Sequence, residues 1–176
     1  MRLSPVRGSV AEKDAPVTDI LVGIAELKTA LLPDRLITLG LGSCVGVSIF
    51  DPVARVGGLL HIMLPDSAQF NDTTKPAKFA DLGIPILVSE MRRLGASIRF
   101  FQAKLAGGAQ MFSGLNKNLM LNIGERNIAV AKRTLKGLGI KVMAEDVGGN
   151  KGRTMILDTS TGQVLIRTAG AKIKVI

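Results

Sequence analysis

The chain has 176 residues, 47% of them hydrophobic and 21% charged, which is the composition of one globular domain rather than a disordered segment. Lys and Arg number 23 against 14 Asp and Glu, a formal charge of +9. One cysteine excludes an internal disulfide, and a single cysteine with a single histidine cannot build the usual zinc site of several Cys and His ligands.

Residues 1–16 carry charges and two prolines but no apolar centre, so a flexible arm is expected there rather than a signal peptide. A single domain is expected over 17–176. Asp19 to Leu27 is apolar and strand-like, and Leu31 to Asp34, with Pro33, reads as a turn. Leu36 to Leu39 is a short strand, broken by Gly40, Gly42 and Ser43. Val45 to Phe50 and Gly57 to Leu64 read as the two arms of a hairpin turning at Asp51-Pro52. Pro65 to Thr74 is a polar loop. Pro76 to Leu94 has helical spacing, with Phe79, Leu82, Ile86 and Met91 near one face, and Pro85 is expected to kink or split it. Gly95 stops that helix. Ile98 to Leu105 is a strand leading to Gly107-Gly108, and Met111 to Asn122 is irregular. Glu125 to Leu138 is a second helix, with Ile128, Ala131, Leu135 and Leu138 on one side and Gly139 at its end. Ile140 to Ala144, Thr154 to Leu157 and Val164 to Arg167 are strands, the last two joined through Ser160-Thr161-Gly162. Two helices and seven or eight strands give an α+β fold of layered β-sheets, with the helices packed on one side.

The basic charge, with a pI of about 10.1, raises the question of nucleic acid. The chain has no Trp or Tyr and six Phe, which leaves few base-stacking surfaces, and its basic residues are scattered. No nucleic-acid partner is expected. Lys132, Arg133 and Lys136, the densest basic group, fit a solvated helix face, or attraction to an acidic protein. No apolar run approaches the ~20 residues that cross a bilayer, so a cytoplasmic protein without membrane insertion is expected. No EF-hand spacing or acidic cluster suggests a calcium or magnesium site.

Cys44 and His61 lie on the two arms of the hairpin. If Phe50 pairs with Gly57, Gly46 faces His61, and Cys44 and His61 become diagonal neighbours on one face, roughly 7–8 Å apart between backbones. A slip of one residue separates them onto opposite faces. Cys44 follows Gly40-Leu41-Gly42-Ser43, where glycines expose amide N–H groups that suit an oxyanion. Thr38, ending the preceding strand, is placed to orient the imidazole. The plain alternative is a small buried cysteine and a hydrogen-bonded core histidine. A phosphate cradle is the weaker reading of GLGSC, which lacks the Walker lysine.

The runs ITLGLGSCVGVSIFDP and GGLLHIMLPDS resemble the CheD family of bacterial and archaeal chemotaxis proteins. KPAKFADLGIP, KLAGGAQMF, LNIGERN and AEDVGGNKGRT follow in the family's order, so that the resemblance spans about residues 19–168. It implies a deamidase that converts glutamines of methyl-accepting chemoreceptors to glutamate through a cysteine thioester, without a cofactor. The family's catalytic Cys, His and Thr fall on Cys44, His61 and Thr38. The resemblance also implies a layered fold like that of toxin-type cysteine deamidases. Its implied partners are chemoreceptor cytoplasmic helices as substrate and a CheC-type phosphatase. The competing readings are a regulatory binding module for such a phosphatase and a receptor glutamate methylesterase using the same residues. Ser43 and Gly42 are candidates beside the oxyanion, and Ser43 alternatively caps the turn. Gly107, Gly108 and Phe112 are candidate contacts for a substrate or partner helix. The alternatives there are a tight turn for the glycines and core packing for the phenylalanine. Residues 146–153 line a substrate groove or form a plain surface hairpin.

Overall fold

The computed structural model describes residues 15–111 and 122–176. Most of the expected arm, and Phe112, lie outside these described residues. Strands β2 (Leu27–Leu31), β5 (Val56–Ile62), β4 (Val45–Asp51), β6 (Gln102–Gly107) and β7 (Lys141–Val147) form one sheet in that order. Strands β1 (Asp19–Leu21), β3 (Arg35–Leu41), β8 (Arg153–Asp158), β9 (Val164–Thr168) and β10 (Lys174–Val175) form the second. Helices α1 (Ala80–Arg93) and α2 (Ile123–Gly137) both cover one face of the first sheet, as the α+β reading requires.

The layering follows from the residue pattern. Every residue of β4 and β5 is buried, because these strands have helices on one face and the second sheet on the other. That is why VGVSIF and GGLLHI read as continuous apolar runs rather than alternating ones. Val47, Leu60, Ile62 and Leu105 pack under Ile84, Leu87, Met91 and Leu135 of the helices. Leu59 and Phe50 face Leu36, Met155 and Leu157 of the second sheet. Each such side chain contributes about 1.5–3 kcal/mol on burial.

Three expectations need correction. The Asp19 to Leu27 stretch is not one strand. It leaves the second sheet after Leu21, turns at Ala25 (φ 59°), and enters the first sheet at Leu27. Helix α1 runs unbroken through Pro85, which sits exposed on its outer face. Its buried stripe is Ala80, Ile84, Leu87, Val88 and Met91; Leu82 and Ile86 are half-buried at its margin. Ile98–Phe100 is a single 3-10 turn, and β6 begins only at Gln102. Among the basic residues of α2, Lys132 pairs with Glu145 at 2.7 Å and Arg133 with Asp66 at 3.5 Å, both at the surface. Among the described residues no helix is long and apolar enough to cross a membrane.

Candidate active site

The hairpin register brings the cysteine and histidine strands together as the alternation requires. Phe50 pairs with Gly57 and Gly46 with His61. The row continues through Ala106 of β6 to Asp146 of β7. Cys44 lies just before β4, half-buried against the apolar cluster between the two sheets.

Thr38 approaches from the second sheet. It pairs with Met155, after which the β3–β8 ladder shifts register before Leu41. Such a bulge re-aims the chain. Gly40, at φ 69°, takes part in the turn that carries the chain toward Cys44.

The Thr38 hydroxyl donates to the Val22 carbonyl at 2.8 Å. It has one hydrogen, so its 2.7 Å contact with His61 Nδ1 is an acceptance from Nδ1–H. The network therefore assigns the tautomer, leaving the Nε2 lone pair free. Nε2 is buried and has no partner among the described residues. The His61 main chain is pinned as well: its N–H donates to Glu26 and its carbonyl accepts from Ala25, each at 3.0 Å. Burial pushes the His61 pKa down to about 4. Burial also pushes the Cys44 thiol up, with its own backbone N–H acting in the opposite direction. Both shifts favour the uncharged form of their group at neutral pH.

The glycine-rich loop is held from two sides. Gly42 N–H donates to Gly40 at 2.9 Å and its carbonyl accepts from Ala109 at 2.7 Å. Gly42 is therefore not a free oxyanion donor. The N–H groups of Ser43 and Cys44 have no backbone or side-chain acceptor from another residue among the described residues. The Ser43 side chain is half-buried and without a hydrogen bond there. Gly108 N–H donates to the Cys44 carbonyl at 2.7 Å. Gly107, at φ 102°, has no room for a side chain, because a Cβ would run into that carbonyl. The 148–152 connection lies on the same rim. Gly148 donates to Gly107 at 2.9 Å, and Gly149 accepts from Gln110 at 2.8 Å. Asp146 behind it holds Arg153 at 2.6 Å and Lys174 at 2.8 Å.

The sequence reading missed Asn127. It is fully buried on α2, and its Nδ2 donates at 2.9 Å to the carbonyls of both Ser43 and Met63. The signal was present: Asn127, Ala131 and Leu135 share a four-residue spacing, which puts a polar side chain on the apolar stripe. Among the described residues no cluster of His, Cys, Asp and Glu is arranged to hold a metal ion.

The family described as CheD chemotactic sensory transduction matches residues 63–168 of the chain. A protein of Desulforamulus reducens, named "Probable chemoreceptor glutamine deamidase CheD", is 62% identical over 158 residues, covering 90% of this chain and 95% of that one. The chain belongs to the CheD family. A second CheD of the same name, from Clostridium acetobutylicum, is 52% identical over 163 residues, with 93% of this chain and 98% of that one covered. Among solved structures, the Bacillus licheniformis hypothetical protein YfiH aligns with TM-score 0.41 and 18% identity, over 66% of this chain and 47% of that one. That likeness is too slight to carry chemistry across. The CheD family match begins two residues after His61, so the roles of Thr38, Cys44 and His61 rest on their geometry and on the motif resemblance.

Proposed function

We propose that this chain is a chemoreceptor glutamine deamidase that uses Cys44 as nucleophile, His61 as base and acid, and Thr38 as the residue that positions the imidazole. The substrate class is supported by its CheD relatives, which carry that activity in their names. The observation that carries the chemistry is the Thr38–His61 hydrogen bond. It commits the imidazole proton to Nδ1 and leaves the Nε2 lone pair without a partner among the described residues, on the strand paired with the one that Cys44 precedes.

The reaction balances without a cofactor. Cys44 Sγ attacks the glutamine side-chain carbonyl carbon as its proton passes to His61 Nε2. The carbonyl oxygen gains negative charge and is met by the free N–H groups of Cys44 and Ser43. His61 returns the proton to the departing nitrogen, the C–N bond breaks, and ammonia leaves a thioester. Water then attacks that thioester, giving its proton to Nε2. The tetrahedral intermediate collapses, and Cys44 leaves and is reprotonated. Glutamine and water become glutamate and ammonia.

A depressed imidazole pKa and a raised thiol pKa favour the neutral pair before substrate arrives. The proton therefore moves as the sulfur attacks, and an imidazolium–thiolate pair is not stored in the free protein. The resting thiol is thereby protected from adventitious electrophiles. A chemoreceptor cytoplasmic fragment incubated with the protein should release ammonia and gain the glutamine-to-glutamate mass change at defined positions. Unchanged glutamines, with folded protein and cognate receptors, would overturn the substrate assignment. A methylesterase would instead act on the methylated glutamates of the same fragments. A CheC-type phosphatase is proposed as a protein partner, and addition of one is expected to slow the deamidation.

A further inference from the structure

Asn127 links the two halves of the candidate site. One Nδ2 hydrogen goes to the carbonyl of Ser43, immediately before Cys44, and the other to the carbonyl of Met63, two residues after His61. Helix α2 comes close enough for this because residue 124 is glycine. A Cβ there would lie 2.6 Å from the Gly108 carbonyl oxygen.

The Ser43 carbonyl and the Cys44 N–H belong to one peptide unit, which is planar and trans, so the two groups point in opposite directions. Holding the carbonyl on Asn127 fixes where the N–H points. That N–H has no acceptor beyond its own side chain among the described residues. We propose that Asn127 is a positioning residue for deamidation: by anchoring the Ser43 carbonyl it aims the Cys44 N–H at the oxyanion, and by anchoring Met63 it holds that donor in register with the histidine strand. The inference rests on the assignment of Cys44 as nucleophile.

The arrangement also accounts for a polar side chain in the core. Asn127 Oδ1 is buried without a partner among the described residues, a cost that an apolar residue would avoid. An amide is retained where two carbonyls must be held by one rigid group. Leucine matches its branching but donates nothing.

The test compares Asn127→Leu and Asn127→Ala with the wild type in two reactions at Cys44. Deamidation of a receptor fragment passes through an oxyanion. Alkylation by iodoacetamide is a direct displacement that forms none. In the variants kcat for deamidation should fall by about 10- to 100-fold, part of the loss expected for a missing oxyanion donor, with KM little changed. Above the thiol pKa, where the sulfur is fully ionised in wild type and variants alike, the alkylation rate should change by about twofold or less, since access is preserved. Equal losses in both reactions would reduce Asn127 to a structural role and overturn the inference, as would an unchanged kcat. If neither variant folds, hydrogen exchange in the wild type decides. The Cys44 amide should exchange freely, whereas a protected Cys44 amide would overturn the inference. A Cys44→Ala variant that still deamidates would instead defeat the nucleophile assignment itself.

Discussion

Replacing Thr38 by valine keeps the volume and removes only the hydroxyl. In the wild type that hydroxyl is fully buried and makes two bonds, donating to Val22 at 2.8 Å and accepting from His61 Nδ1 at 2.7 Å. Valine leaves a buried N–H and a buried carbonyl unpaired, at about 1–3 kcal/mol each. With the hydroxyl gone nothing favours Nδ1–H over the Nε2–H tautomer, because Nε2 has no partner among the described residues either. That tautomer cannot accept the cysteine proton. Loss of a preference worth about 1–3 kcal/mol shifts the tautomer equilibrium by roughly 5- to 150-fold, which takes the competent form from most of the molecules to about half, and the untethered ring also loses its aim, which can cost about 100-fold more. Steady-state deamidation should therefore show kcat down about 10- to 100-fold with KM little altered. Thr38→Ser should recover most of it. His61 is the sole histidine, so its nitrogen NMR signals report the tautomer without assignment ambiguity. The wild type should be protonated at Nδ1, and Thr38→Val should shift toward Nε2. A Thr38→Val protein with wild-type kcat and an unmoved tautomer would refute the positioning role.

Two further outcomes follow from the buried pair. His61 has its folded pKa lowered from 6.5 to about 4, so the unfolded chain binds the extra proton between those values. The neutral histidine's full advantage is present above pH 6.5 and is lost as pH falls toward 4, a loss of about 3 kcal/mol. Urea unfolding from pH 7.5 to 4 should show that slope in the wild type and not in His61→Asn; identical slopes in both would contradict it. The raised Cys44 thiol predicts an iodoacetamide rate that climbs with pH through and beyond the ordinary thiol range. A rate already at its plateau at neutral pH would reveal a stored thiolate.

The part of the site built by local pairing was legible in the sequence. Strand period and the Asp51-Pro52 turn gave the hairpin and a short choice of registers, one of which, with Gly46 opposite His61, is the one observed. The meeting of Thr38 with His61 was legible only as a candidate. Those residues lie in different sheets, and nothing in the spacing states how two sheets stack. The split of Asp19 to Leu27 between both sheets was hidden for the same reason. Both halves are apolar, and the turn between them uses Ala25 rather than a glycine at positive φ. Pro85 was read from its missing N–H alone. Its exposed position on α1 is set by the helix's packing against the sheet, a tertiary fact. The role of Asn127 was hidden because its two acceptors, the carbonyls of Ser43 and Met63, are main-chain groups far from it in sequence.

In the proposed reaction Cys44 forms a covalent thioester with the substrate glutamine. The most direct measurement is mass spectrometry of both substrate and protein during turnover on chemoreceptor fragments, quenched in acid, with wild type and Cys44→Ala in parallel. Wild type alone should convert glutamine to glutamate, with a transient adduct on Cys44 equal to the substrate less ammonia. Undiminished conversion by Cys44→Ala would contradict it.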